Sequence, residues 1–239
     1  MTGSEATVPI GPGVYASWRA TPLGSITEAI EQRLMLELAG ELEGRRVVDV
    51  GCGDGALACV MASRGADVTG VDPDPAMLAA ARSHAARAGV SASFLEGRIE
   101  PLPFPDASVD VVVSVTVLCF VPDAAGAIRE MARVLRPGGR LVIGELDRWS
   151  LWAVLRRARG WLGATTWKAA QFRSAAELRA HAEQAGLRVT VSRGAVYYPP
   201  LSLLARMLAP FDPWFGRMTT VGAAFVALCA IKPNQLLSR

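Results

Sequence analysis

Apolar residues at every fourth position, Ile26, Ile30, Leu34, Leu38 and Leu42, run beside Glu28, Glu31, Arg33 and Glu37 and predict an amphipathic helix over 26–42. After Glu43-Gly44 the period changes. Strand 46–50, helix 55–63 and strand 67–71 form one βαβ unit. Pro75, in a first helical turn, opens an alanine-rich helix that Gly89 stops. Strand 91–95 leads into a loop over 97–107 broken by proline and glycine. The valine-rich run 109–115 has the continuous apolar character of a strand buried on both faces. Helix 123–135 ends at Arg136-Pro137-Gly138-Gly139, a stop-and-turn sequence ahead of strand 140–145. Helix 174–185, strand 187–196, a proline-flanked segment 199–217 and strand 221–231 complete the chain. The alternation predicts an α/β, doubly wound parallel sheet whose last two strands add an antiparallel edge.

With 239 residues, 51% of them hydrophobic, the chain can bury one α/β domain with additions, and two full domains would be cramped. A formal net charge of +3 is too small to point to nucleic acid. Cys52, Cys59, Cys119 and Cys229 lack CxxC spacing and read as buried, reduced thiols, with no metal site expected. The start of the chain lacks the pattern of a secretory signal and reads as an arm, and the apolar run near 221–231 is too short for a membrane span. A cytoplasmic protein is expected.

The sharpest chemistry lies in Val47-Val48-Asp49-Val50-Gly51-Cys52-Gly53-Asp54-Gly55. A strand that ends in alternating glycines turns sharply into a helix and lets a ligand lie against its backbone. Asp72 closes the next strand, where an acid accepts from both hydroxyls of a ribose. Gly51, Gly53 and Ala56 also satisfy the looser dinucleotide fingerprint, so a nicotinamide cofactor is the rival ligand. Asp49 favours S-adenosylmethionine, because a carboxylate at the pocket mouth repels a pyrophosphate and attracts an ammonium or sulfonium.

From 147 to 171 the rhythm breaks into an insertion holding Trp149, Trp152, Trp161 and Trp167 among Arg148, Arg156, Arg157, Arg159 and Lys168. Aromatics beside cations grip an amphiphilic molecule, a planar ring, a lipid surface or an RNA loop. A cap helix with its tryptophans on the sheet and its arginines in water is the alternative.

Taken in order, Val47–Gly55, Val68–Leu78 (VTGVDPDPAML), Leu102–Asp110 (LPFPDASVD) and Met131–Gly144 (MARVLRPGGRLVIG) resemble the class I S-adenosylmethionine-dependent methyltransferases, in particular the bacterial small-molecule group. The resemblance covers about residues 45–145. It implies a Rossmann-like, seven-stranded mixed sheet in a single domain. That domain would comprise an N-terminal lid and helix over 1–44, a cofactor core over 45–146, a cap insertion over 147–172 and the rest of the sheet over 173–239.

Carried onto this sequence, the resemblance places Gly51, Cys52, Gly53 and Gly55 beneath the methionine portion of S-adenosylmethionine, Asp49 near its amino group and Asp72 on the ribose. Pro73 and Met77 would pack on the adenine, Arg98 and Ile99 would offer it backbone, and Val115 would border the sulfonium. Tyr15 would reach the methionine carboxylate from the closing arm. Trp18, Thr116, Cys119, Phe120, Trp149 and Trp152 would line the acceptor. Two departures stand out. Arg98 occupies a position where relatives often have an acid, and a guanidinium cannot accept from the adenine amine. Cys119-Phe120 replaces the histidines that relatives often carry, which leaves Glu145 as the candidate base.

The reading that follows is methyl transfer to a small or medium-sized, largely apolar or amphiphilic acceptor, driven mainly by proximity and desolvation. An RNA methyltransferase using the basic insertion and a non-catalytic S-adenosylmethionine-binding protein are the alternatives. Contact with a lipid surface fits the first reading.

Overall fold

A computed structural model describes residues 11–161 and 170–234. Trp167 and Lys168 of the insertion and most of the N-terminal arm lie outside the described residues. The chain opens with helices α1 (Pro12–Arg19) and α2 (Pro22–Ala39). β1 (Arg46–Val50), α3 (Ala56–Ala62), β2 (Asp67–Asp72), α4 (Pro75–Ala88), β3 (Ser93–Glu96) and β4 (Val109–Val115) follow. Next come α5 (Ala124–Val134), β5 (Leu135–Leu146), α6 (Leu151–Trp161), α7 (Ala175–Gln184) and β6 (Arg188–Ala195), then α8 (Ser202–Leu208), α9 (Asp212–Met218) and β7 (Phe225–Ile231). The seven strands form one sheet in the order β3-β2-β1-β4-β5-β7-β6, with β7 antiparallel to both neighbours. The mixed sheet with its antiparallel edge was expected from the sequence.

Boundaries moved where local chemistry outweighs periodicity. α2 starts at Pro22 rather than Ile26, because Thr21 Oγ1 accepts from the Gly24 amide at 3.0 Å and Pro22 needs no helical donor. It stops at Ala39, ahead of Gly40 at φ +76°, so the buried Leu42 lies beyond the helix. The expected turn at 136–139 belongs instead to β5. Pairing passes from Val109 with Leu135 to Val111 with Arg140, and Gly138 N donates to Lys232 O at 2.8 Å, so the stretch is a bulge whose amide is satisfied by the chain after β7. The segment 199–217 folds into α8 and α9, and the final strand begins at Phe225 rather than 221.

Two buried clusters fill the two faces of the sheet. One gathers α2, α3 and α4 residues such as Met35, Met61 and Leu78, and the other gathers α5 and α7 residues such as Ile128, Met131 and Leu178. Arg140 Nη1, just past the bulge in β5, donates to the carbonyls of Leu38 and Ala39 at 3.0 and 2.9 Å and caps the end of α2. α2 therefore runs against the direction of β5, with Met35 beside Gly144, and its first turns project over the carboxyl edge of the sheet. β6 ends at that same edge, since Ala195 and Leu146 both pair with Phe225.

Candidate functional site

Strand order reverses between β1 and β4, and in doubly wound sheets the ligand cleft opens there, beyond the carboxyl ends of the strands. The glycine turn sits at this point. Gly51, Gly53 and Gly55 have φ of +70°, +54° and +75°. A side chain at Gly51 would collide with Val117, whereas open space surrounds the Cβ position of Gly53. The turn is latched to β2: Gly51 N and Cys52 N donate to Val71 O at 2.7 and 3.1 Å, and Gly53 N donates to Asp72 Oδ2 at 2.9 Å. Asp72 Oδ1 accepts from Asp74 N at 2.9 Å, so both oxygens are fixed in place.

Asp49 is only 3% exposed, and burial, with the Asp72 charge second, pushes its pKa up to about 7. Burial also raises Asp72, against the pull of its backbone donors. Two acids crowded together away from water suit a cationic ligand, which would relieve both. Pro73 is exposed beside them, Met77 and Ile99 are partly buried, and the Arg98 side chain is exposed.

At the end of β4, Val115 is partly buried and Thr116 takes φ +53°, an uncommon conformation for a β-branched residue. Glu145 holds the turn that follows. It is 1% exposed; its Oε1 accepts from Val117 N and Leu118 N at 2.9 and 2.7 Å, and its Oε2 accepts from Cys119 N at 3.2 Å. Burial raises its pKa to about 7 against those three donors. A carboxylate so engaged anchors backbone, and the expected base therefore has a second duty visible in the geometry. Cys119 is buried, its Sγ 3.5 Å from Thr116 O, and Phe120 is partly buried.

The arm folds as α1 and is tied to the glycine turn. Arg19 pairs with Asp54 of that turn and with Glu28 of α2 at 3.2 Å. Its guanidinium also lies 4.8 Å from the centre of the Tyr15 ring, and Tyr15 and Trp18 are in contact with ring centres 5.9 Å apart. The insertion divides its tryptophans. Trp152 is 8% exposed and donates Nε1 to Tyr198 O at 2.7 Å, as a core residue, while Trp149 is 73% exposed.

One group went unnoticed in the sequence. Glu31 occupies the inward face of α2, one turn beyond Thr27 and one before Met35. Thr27 Oγ1 lies 3.1 Å from the Tyr198 hydroxyl, and the Arg156 guanidinium of α6 lies 5.1 Å from the centre of Trp152. Glu31, Arg156 and Tyr15 lie within one another's electrostatic field. Burial raises Glu31 to about 8 despite Arg156, with Glu28 and Asp212 adding to the rise. Burial lowers Arg156 to about 10 and raises Tyr15. An acid standing in register with Thr27, Leu34, Met35 and Leu38 was the signal available in the sequence.

Sheet order and glycine turn define a doubly wound α/β protein with its cleft at the switch point. The family model described as a methyltransferase domain matches residues 48–143. A ubiquinone biosynthesis O-methyltransferase of Bordetella avium is 38% identical over 169 residues, covering 68% of this chain and 70% of that protein. Its namesake in Marinobacter nauticus is 36% identical over 168 residues, covering 66% and 70%. A solved Thermotoga maritima S-adenosylmethionine-dependent methyltransferase, described as a possible histamine N-methyltransferase, superposes with TM-score 0.70 at 25% identity, over 92% of this chain and 95% of that one. The chain belongs to the class I S-adenosylmethionine-dependent methyltransferases.

Proposed function

We propose that this methyltransferase O-methylates a hydroxyl, of phenol type, on a small and largely apolar molecule. The observation that carries the reading is Glu31, one turn before Met35 on the part of α2 that projects over the carboxyl edge of the sheet, an acid raised to about 8 in the field of Arg156. A phenol titrates near 10, and a carboxylate brought up toward that value accepts its proton far better than an ordinary one. Support also comes from relatives named for O-methylation.

Asp72 and Asp49 fit the hydroxyls and the ammonium of S-adenosylmethionine, and the open space at Gly53 admits it against the backbone. When bound, the cofactor supplies an electrophilic methyl on a cationic sulfur. Val115 and Thr116 border the reacting centre, and Glu145 fixes them by gripping the turn behind. Glu31 takes the proton of the hydroxyl to which the methyl would be transferred. Arg156 keeps the ionised form of Glu31 accessible. Arg19 holds α1 down on the glycine turn and keeps water out.

The test is transfer of labelled methyl from S-adenosylmethionine to three acceptor sets: alkyl-substituted phenols, amines of similar size, and RNA. The phenols should be methylated at oxygen, with the amines and RNA at background. Labelling of RNA alone would overturn the reading, as would cofactor binding without transfer to any phenol.

A further inference from the structure

We infer that the outer face of α8 and α9 seats the protein on an anionic lipid bilayer, with the mouth of the acceptor cleft turned toward the membrane. Each helix is fastened by its inner side alone. Ala205, Asp212 and Gly216 are buried, and Asp212 accepts from Val196 N and Tyr197 N at 2.9 and 2.8 Å. The outer side presents Leu203, Met207, Trp214 and Met218 to solvent, with Leu203 at 71% and Trp214 at 59% exposed, and the flanking Phe211 and Val221 are exposed as well. Soluble proteins rarely leave an apolar face of this kind uncovered.

Charge selects the occupant. Beyond Glu183 the sequence has a single acid, Asp212, and that acid is buried on backbone amides. The exposed cations of the two helices are Arg206 and Arg217, the latter 3.7 Å from Glu37. Aromatic and aliphatic side chains interleaved with arginine, on two helices that carry no exposed acid of their own, match a bilayer with anionic headgroups: the apolar groups enter the acyl boundary, and Arg206, with Arg217 once it leaves Glu37, reaches phosphate.

Position gives the surface a purpose. β6 ends at the carboxyl edge of the sheet, level with the end of β5, so α8 and α9 leave from the edge where the cleft opens. α8 also lies against α2, the helix that carries Glu31. An apolar acceptor dissolved in the bilayer would enter from this side without crossing water. The surface is independent of the methyl-transfer reading, because membrane binding can be measured without cofactor or acceptor.

The experiment is co-sedimentation of the full chain with vesicles of phosphatidylcholine alone or with a quarter phosphatidylglycerol. The protein should sediment with the mixed vesicles, less with the neutral ones, and less again at high salt. Leu203→Glu with Trp214→Glu should lower the bound fraction by about tenfold or more. Leu95→Glu, on β3 at the opposite sheet edge, should bind like the parent. Thermal melts establish that each variant is folded, and Met207→Glu stands in if the double variant is not. Absence of binding to mixed vesicles, or binding unchanged in the folded variants, overturns the inference. So does a concentration-dependent dimer that the substitutions dissociate while vesicle binding is absent, since a second copy would then cover the face.

Discussion

The donor side and the acceptor side of this cleft both use acids whose pKa is raised by desolvation, but they hold them differently. Asp72 is fixed by the amides of Gly53 and Asp74, and Glu145 by those of residues 117–119. Glu31 has charged side chains around it instead, Arg156 drawing its pKa down and Glu28 and Asp212 pushing it up. Amide-bound carboxylates set the shape of the cleft, while a carboxylate balanced among side chains can change protonation at little structural cost. The contrast separates scaffold from chemistry, and it separates the effects expected of their substitution.

Glu31→Gln should have the largest effect on turnover, a loss of about a hundredfold or more, with cofactor affinity retained in calorimetry. In the parent, kcat/KM should fall as pH drops below about 8, where Glu31 takes up its proton, and the variant should lose that limb. A parent-like profile in the variant would remove Glu31 from the chemistry.

Glu145→Ala should act first on the fold. It strands three amides beneath the turn and should cost about 3 kcal/mol of stability in denaturant unfolding, with loss of cofactor affinity as the turn relaxes. A variant of parental stability that binds cofactor normally yet fails to transfer methyl would restore Glu145 to the role of base.

Deleting residues 1–20 removes Tyr15, Trp18 and Arg19 with its grip on Asp54, and should weaken cofactor binding about tenfold. Arg98→Asp should change least: its side chain is exposed, and affinity should be kept or improved. A large loss there would show that Arg98 contacts the adenine.

The donor side was legible because backbone constraints leave local marks. A turn at positive φ asks for glycine, and an acid at the end of β2 sits in the same short stretch as the turn it serves. The acceptor side is assembled from α1, α2, β4, α6 and the chain after β6, which meet only after folding. Glu31 read as one more polar residue on an amphipathic helix, and Trp152 as a pocket aromatic rather than the core donor to Tyr198. The segment 199–217 was unreadable as helix, since prolines interrupt it and its apolar residues point outward.

Asp49 puts the donor side to the most direct test. Its pKa is raised from its ordinary value to about 7, so the folded protein without ligand binds a proton that the unfolded chain has released. The stability this provides is full below about pH 4 and is lost as pH rises toward 7. A cationic ligand reverses the preference. In Asp49→Asn at pH 7.5, melting without ligand should rise by about 2–4 °C for each kcal/mol relieved, while affinity for S-adenosylmethionine falls about tenfold or more. Melting and calorimetry on the same two proteins decide the matter: a higher melting point with weaker binding is the predicted result, and unchanged affinity or a lower melting point would contradict it.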